Sequence, residues 1–592
     1  MDYWDCRRCR GYHHCRCCQQ KEKEVIYMTS HVKNSSLSEM FRLFFFAIYT
    51  LTLFKHFTNK TQTTGWHNRF ITSERNRENM KKIRQVITSR FFIAGFFIFA
   101  EFAQLLTVFI LLNRFSTIMS VLSYIFTFCV ILYVINRDEI PELKLPWLIL
   151  FLVLPVISAF IFILFSGTEQ TKKLTKAYGE ADKELSRFQA NDTQKNLATK
   201  SLKEKNLDAY MQANYIHRVT GMSCHDSSKS TYYPVGEDFH KALLEALQKA
   251  EHFIFMEYFI IEQGAMWNYI HDILLQKVRQ GVKVNVMYDD FGCMPTLPQH
   301  YYRELTNEGI DCIPFNRVTP ILSQIHNNRD HRKITVIDGV VGFTGGANLA
   351  DEYINLHSKH GHWKDSAVKI EGEAVKNLTM MFLSSWNMQS NTQLLYEPYL
   401  DISYPAFKNG GMIIPYGDVP GLFKTESLGR GVYLNMINAA KKYLYITTPY
   451  LICDFAIIDA LRNSAKKGVD VRIITPGIPD KKLVWLLTRS SYKSLLLDGV
   501  KIYEYTPGFI HAKNFICDDM FAVCGTINLD YRSLVHHFEC GAWMYNVDAI
   551  QDMKTDFIET IGQSEMITDG KVKFNGFQKL LINILKVLFP LL

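Results

Sequence analysis

The sequence predicts an α/β protein built as two similar halves behind a set of membrane helices, and three observations predict it. Apolar strand-like runs alternate with helical stretches in the second two-thirds of the chain. That alternation occurs twice in the same order. Ahead of it stand three apolar stretches, each close to the roughly 20 residues a helix needs to cross ~30 Å of hydrocarbon. The 592 residues, 48% hydrophobic and 13% aromatic, are ample for several domains and exclude whole-chain disorder. The net charge of +8 is mild for this length; it fits acidic membrane surfaces or phosphate substrates, and equally fits plain solubility.

Residues 1–79 read as an N-terminal extension, polar, basic, and disordered or dispensable, apart from the apolar patch Met40 to Phe54, which is too short for a span. Cys6-x-x-Cys9 and Cys15-x-Cys17-Cys18, with His13 and His14 between them, raise zinc as an alternative. The step from Cys9 to Cys15 is far shorter than the usual gap between ligand pairs, which argues against it. The remaining cysteines are scattered and form no disulfide framework. Met80-Lys-Lys-Ile-Arg84, just ahead of the first apolar run, reads as a natural start for the membrane part.

Residues 80–168 form that membrane region, with two or three helices over Phe91–Leu112, Ile118–Ile135 and Trp147–Phe165. Glu101 and Gln104 make the first the weakest span, better read as a helix packed on its neighbours or lying in the interface. Arg75, Arg77, Lys81, Lys82, Arg84 and Arg90 hold its N-terminal flank in the cytoplasm by the positive-inside rule. Two crossings place the rest of the chain inside and three place it outside, so the sequence leaves sidedness open. Residues 169–210, rich in Lys, Glu, Asp, Gln and Thr, read as a solvated, partly helical linker.

The halves span residues 211–400 and 401–573. Glu251–Ile261 is echoed by Lys442–Ile452, Val278–Met287 by Ala465–Ile474, and Asn307–Ile313 by Leu497–Tyr503. Three matched units in the same order argue for an internal duplication. Each copy ends in the same motif, His331-x-Lys333 with Asp338 and His511-x-Lys513 with Asp518. Two such motifs arising by chance is on the order of one in a thousand. On an extended strand residues i and i+2 face the same side, so each half presents one imidazole beside one ammonium. Downstream, Gly345-Gly346-Ala-Asn348 and Gly525-Thr526-Ile-Asn528 combine small residues, which let backbone approach a ligand, with an amide that can donate to phosphate oxygens. Cys517 and Cys524 read as buried small residues, and His536 and His537, close to Glu539, as packing or surface residues rather than metal ligands. In the C-terminal segment 574–592, Phe577, Leu580, Leu581, Ile584, Leu585 and Leu588 form an amphipathic stripe that suits docking on the core or insertion into a membrane surface, with a lean to the latter.

This set of residues resembles the phospholipase D superfamily over roughly Asn214 to Gly570 and, within it, the bacterial cardiolipin synthases. The resemblance is carried by both motif copies, Met256-Glu-Tyr-Phe-Ile260, Tyr288-Asp-Asp-Phe-Gly292, Trp363-Lys-Asp365, Gly525-Thr-Ile-Asn-Leu-Asp-Tyr-Arg-Ser533 and the terminal Phe589-Pro-Leu-Leu592. It implies two phospholipase D-like α/β/α domains packed about a pseudo-twofold axis, with the motifs joined in one site. It also implies His331 as nucleophile, giving a phosphohistidine, and His511 as acid and base. Lys333, Lys513, Asn348 and Asn528 would hold the phosphoryl oxygens, and Asp365 and Glu539 would orient the histidines. Asp338 and Asp518 complete the catalytic motif by holding its turn rather than by touching substrate.

These residue types suit a phosphodiester, which is anionic and needs positive charge, a nucleophile and an acid for the leaving alkoxide. The implied reaction joins two phosphatidylglycerol molecules into cardiolipin and releases glycerol, in a multi-pass protein of the cell membrane. Membrane phospholipids are the expected partners, and neither nucleic acid, metal nor cofactor is expected. A membrane-anchored phospholipase D, or a phosphodiesterase or nuclease of the same superfamily, is the alternative. A silent scaffold is disfavoured because neither motif has lost a member.

Overall fold

The computed structural model describes residues 117–165, 176–180, 183, 185, 201–318, 327–390, 392–407, 411–420 and 427–591. The extension 1–79 with its cysteines, and the apolar run Phe91–Leu112, lie outside the described residues.

The described chain opens on three apolar helices, Thr117–Ile135, Pro141–Val153 and Pro155–Phe165. The run Trp147–Phe165, read above as one span, belongs to two of them. Pro141 opens the earlier helix, where its missing N–H and fixed φ are tolerated, and Pro155 has no N–H to continue the ladder, so the rod breaks there. No helix among the described residues is long and apolar enough to cross a membrane. The described side chains of Thr117–Ile135 begin at Val121, about 22 Å of helix, and the other two helices are 13 and 11 residues long. Val130, Val134, Phe151, Ala159 and Phe162 pack together in a small core, while Leu122, Tyr124, Phe128 and Leu152 are exposed. The stretch expected to be a solvated linker is partly docked: Tyr178, Leu185 and Leu202 are buried in the main core. Single apolar residues so widely spaced leave no periodic stripe in the sequence.

The first sheet contains β1 (Lys229–Tyr233), β2 (Phe253–Tyr258), β3 (Lys283–Asp289), β4 (Asp311–Phe315), β5 (Lys333–Ile337) and β6 (Val341–Gly345); the short β7 (His362–Lys364) stands outside it, and β8 (Ala367–Glu371) completes it. Its order is β1-β8-β6-β5-β2-β3-β4. β2, β3 and β4 are parallel, with helices Ala265–Arg279 and Tyr301–Asn307 as crossovers, and the remaining pairs are antiparallel. The second half supplies β9 (Met412–Asp418), β10 (Tyr443–Thr447), β11 (Leu451–Ile452), β12 (Asp470–Pro476), β13 (Lys501–Tyr505), β14 (Gly508–Ile510), β15 (Asn514–Cys517), β16 (Phe521–Gly525), β17 (Leu529–Asp530), β18 (Glu539–Tyr545) and β19 (Ser564–Ile567). Its sheet runs β9-β18-β16-β15-β10-β12-β13-β19, which repeats the first strand for strand and adds β19. β11 and β17 pair separately, and β14 of the second half runs parallel to β7 of the first.

The helix Val375–Gln389 is buried at every position from Val375 to Trp386 except Lys376. A helix covered nearly all round lies inside the protein, and this one packs against β2, β5 and β9, between the two sheets. One apolar core therefore runs through both halves, and a second fills the outer face of the first sheet. The helix Leu207–Thr220, capped by the Asn206 side chain and ended by Gly221 at φ 72°, contains the boundary expected at residue 211. It precedes the first sheet in the chain yet packs on the second half, against β9 and the helix Leu428–Ala439. Trp543 donates its indole N–H to Gln212 at 3.0 Å.

The C-terminal helix Gly576–Leu588 starts with a capping box between Asn575 and Gln578. Its inner residues Ile582 and Leu585 pack with Leu487, Ile452 and Tyr531. Its outer residues Phe577, Leu580, Ile584 and Leu588 stay exposed. The stripe is thus divided between docking and an uncovered apolar face.

Asp338 and Asp518 each follow a motif strand at φ 50° and 55°, a left-handed conformation that Asp tolerates. Asp338 accepts the backbone N–H groups of Glu251, His252 and Phe253 at 2.7–2.8 Å. Asp518 accepts those of Lys441, Lys442 and Tyr443 at 2.7–2.9 Å. Each carboxylate thus ties the end of its motif to the start of β2 or β10. Asp518→Ala is expected to destabilise the protein by about 2–4 kcal/mol, because three N–H groups lose a charged acceptor. A shifted denaturation midpoint at unchanged m-value would record it.

Candidate active site

His331 leads into β5 and His511 into β15, and each lead-in is fastened to the opposite half. The His331 N–H donates to Phe538 O at 2.9 Å, and the His511 N–H donates to Lys364 O at 2.7 Å. The side chains cross in the same way. His331 Nδ1 lies 2.9 and 3.0 Å from the two oxygens of Glu539, and His511 Nδ1 lies 2.6 Å from Asp365 Oδ2. All four residues are buried. With Nδ1 held, Nε2 of each ring is the nitrogen left for chemistry.

The flanks of His331 are anchored as firmly. Arg329 donates to Asp289 at 2.9 Å and to the backbone of Phe315 at 3.2 Å. Arg332, wholly buried, donates to Ser385 of the inter-sheet helix at 2.7 Å and to the backbone of Glu539 and Asp418 at 3.3 Å. Both arginines lay within the motif's surroundings in the sequence, but their partners are more than ten residues away and carry no local signal.

Lys333 and Lys513 are buried beside the imidazoles. Lys333 Nζ donates to His331 O at 2.6 Å, while Lys513 Nζ lies 2.8 Å from His511 Nδ1 and also reaches His511 O. Burial lowers Lys333 to about 8, and burial together with the charge of Lys333 lowers Lys513 to about 7. Burial, then Lys333 and Lys513, hold His331 well below the usual imidazole range. Burial and Lys513 lower His511 to about 4 against the opposing pull of Asp365. Burial alone would raise Asp365, but Lys513 and His511 outweigh it and keep its carboxyl below the usual range. With both imidazoles held below the usual range, both rings are neutral near pH 7 when nothing is bound, and Lys513 is only part-charged there. A phosphodiester arriving adds one negative charge, which favours an imidazolium.

The amides are partly committed. Asn348 accepts from Ile260 N at 3.1 Å and gives one N–H to Tyr353 Oη at 2.7 Å. Asn528 gives one N–H to Asp530 at 3.3 Å, and its oxygen is buried with no partner. Asp338 and Asp518 stand at the far ends of their strands, seven residues of extended chain from the histidines, or about 23 Å.

Three residues named in the sequence reading have a place in the site that it did not give them. Thr526 donates to Glu539 Oε2 at 2.5 Å. The matching place in the first half is Gly346, where a Cβ would lie 2.1 Å from the Asp365 carboxylate. Trp363 and His537 each stand two residues before a site carboxylate, Asp365 or Glu539, and each ring centroid is 5.5 Å from that of a motif imidazole, His511 or His331. His537, read above as a packing or surface residue, is in the site, buried, with Nδ1 3.7 Å from Glu539 Oε1. Aligning the two copies from their carboxylates backwards would have found both. Ligand atoms of His331, His537 and Glu539 lie within 4.8 Å of one another, close enough to hold a metal ion. The ammonium groups of Lys333 and Lys513 oppose a cation there and suit an anion.

The depressed imidazoles link stability to pH. A histidine whose folded pKa lies below the unfolded ~6.5 leaves the unfolded state binding more protons, so its stabilisation is complete above ~6.5 and declines as pH falls toward the folded value. His511→Asn should therefore lose less stability than the parent between pH 7.5 and 5, by about 2 kcal/mol. Denaturant titrations at the two pH values measure the difference, and equal losses would refute it.

The family described as cardiolipin synthase, phospholipase D-like domain, matches residues 243–386 and 433–561, which contain the two motifs. An uncharacterized protein of Streptococcus mutans is 43% identical over 78% of this chain and 99% of its own length. Cardiolipin synthases of Alkalihalophilus pseudofirmus and Halalkalibacterium halodurans are 33% and 31% identical, over 81% and 78% of this chain and 95% and 91% of their own. The crystal structure of phosphatidylserine synthase from Haemophilus influenzae superposes with a TM-score of 0.51 at 13% identity, over 64% of this chain and all of that one, a likeness of fold. Matched along nearly the whole length of such relatives, the chain belongs to the cardiolipin synthase family of phospholipase D-like proteins.

Proposed function

We propose that this protein makes cardiolipin by transferring a phosphatidyl group from one phosphatidylglycerol to the terminal hydroxyl of another, releasing glycerol. The observation that carries this reading is the pair of buried imidazoles, each held at Nδ1 by a carboxylate of the opposite half and flanked by a buried lysine. His331 Nε2 attacks phosphorus, the phosphorus–oxygen bond to glycerol breaks, and His511 gives the departing alkoxide its proton. His511 then takes the proton of the incoming hydroxyl, whose oxygen attacks phosphorus as the phosphorus–nitrogen bond breaks. Lys333, Lys513 and the uncommitted N–H of Asn348 and Asn528 hold the phosphoryl oxygens. Glu539 and Asp365 fix the tautomer and stabilise whichever ring carries charge.

The neutral resting state of both rings suits this division. The nucleophile must keep its lone pair, and the acid gains its proton when the anionic substrate arrives. Purified protein given phosphatidylglycerol in mixed micelles should form cardiolipin and free glycerol in equal amounts. Phosphatidic acid as the main product would show water to be the acceptor. The histidines separate with a phosphodiester that has a nitrophenyl leaving group: His511→Ala becomes labelled and stalls, while His331→Ala takes no label. The reverse pattern would exchange the two roles.

The exposed apolar side chains of the helices ahead of the linker and the uncovered face of the C-terminal helix support seating the enzyme on a membrane, with multi-pass anchoring the reading we propose. Leu580→Glu combined with Ile584→Glu should leave thermal stability nearly unchanged, because both side chains are already in solvent. Turnover on phosphatidylglycerol vesicles should fall several-fold while turnover in detergent micelles is kept. Equal activity on both supports would exclude this face from the membrane.

A further inference from the structure

The two carboxylates that hold the imidazoles reach the site by unequal routes. Asp365 follows directly on β7, which pairs with β14 along its whole length. Glu539 opens β18, and upstream of it the chain comes from a π-helical turn, Arg532–His536, with a single bridge between Phe538 and Asp330 on the way. Such turns are rare and are found mostly at functional sites. This one is closed by the His537 N–H, which donates to Arg532 O at 2.9 Å, and Asp530 accepts the Ser533 N–H at its start at 2.8 Å. No strand pairing of the β7 kind supports it.

The C-terminal segment holds both ends of that turn instead. At the start, Tyr531 is buried in one apolar cluster with Ile582 of the C-terminal helix, and Phe589 packs against the same cluster. At the end, His536 Nε2 lies 3.2 Å from Pro590 O. A carbonyl only accepts, so this nitrogen carries the hydrogen and the ring is the donor. Burial lowers the His536 ring to about 4, which keeps it neutral. The turn Phe589–Leu591 also packs on the helix Pro141–Val153, which fixes it from the other side. Residues 536–539 then follow one another into the site. His536 holds Pro590, His537 stands 5.5 Å from the His331 ring, Phe538 O accepts the His331 N–H at 2.9 Å, and Glu539 holds His331 Nδ1. Whatever moves Pro590 is passed to His331 through this short stretch of backbone.

We infer that the C-terminal segment is part of the scaffold of the reaction centre, with His536 as a positioning residue whose bond to Pro590 sets the backbone that brings Phe538 and Glu539 to His331. This rests on the reading of His331 as nucleophile, because attack on phosphorus depends on the aim of that ring. On the His511 side the pairing of β7 with β14 serves the same end.

The test uses the full-length protein in mixed micelles with two substrates, phosphatidylglycerol and a soluble phosphodiester with a nitrophenyl leaving group, which needs no seating on lipid. His536→Phe removes the donor, and Phe589→Asp sets a charge against the apolar cluster and unseats Pro590. Each should slow first-turnover release of nitrophenol, and kcat for cardiolipin, about tenfold while KM for phosphatidylglycerol stays within about twofold, the mark of a misaimed group rather than of weaker binding. His536→Gln can still donate to Pro590 O and should stay within about twofold of the parent. The double variant His536→Phe with Phe589→Asp should be no slower than either single one, since both break one contact. Circular dichroism melts identify the folded variants, and either single variant suffices if the other does not fold. Unchanged rates on both substrates in a folded His536→Phe or Phe589→Asp overturn the inference. So do His536→Gln as slow as His536→Phe, or losses that multiply in the double variant. Slow cardiolipin formation with an unchanged release of nitrophenol would uphold the positioning role and make His331 the acid rather than the nucleophile.

Discussion

Each imidazole of the site leans on a carboxylate carried by the other half of the chain, and most of the architecture serves that crossing. Glu539 reaches His331 and Asp365 reaches His511 only while the two sheets keep a fixed separation and tilt. Several features maintain it: the backbone bridges at the motif lead-ins, the pairing of β7 with β14, the buried guanidinium of Arg332, and the helix buried between the sheets. The apolar core continuous through both halves makes their relative position a matter of close packing rather than of a flexible hinge. Neither half alone holds both an imidazole and the carboxylate it leans on.

That crossing also governs the electrostatics. Buried lysines and carboxylates are expensive singly, and here they offset one another while leaving the imidazoles neutral. The two flanks are nevertheless unequal. One carboxylate is short and lies against a glycine with no room for a side chain; the other is longer and is met by a threonine hydroxyl. An indole walls one ring and an imidazole the other. Such divergence suits the two chemically distinct steps proposed for this duplicated frame.

Much of this was legible in the sequence, because duplication writes itself as repeated short patterns. The strands of β2 and β10, the glycine-closed helices and the two motifs recur at matching places, and the two sheets repeat strand for strand. What the sequence hid depends on contacts between distant residues. Nothing local says that Glu539 belongs to His331 rather than to His511, since the pairing closes over 208 residues. His537 shows no periodicity, and only its place two residues before Glu539, matching Trp363 before Asp365, marks it. Tyr178, Leu185 and Leu202 are too sparse to form a stripe, and the break at Pro155 was masked by apolar residues on both sides of it.

The helix Leu207–Thr220 has a consequence for how the molecule is made. Its buried residues Ala209, Ala213 and Ile216 are covered by β9 and by the helix Leu428–Ala439, which leave the ribosome some two hundred residues later. During synthesis this helix waits with its apolar face uncovered while the whole first sheet forms beside it. Contacts so remote in sequence close late and slowly. This helix therefore finds its seat late, and a pause or truncation before residue 440 would leave a nascent chain with an adhesive surface rather than a folded half-enzyme.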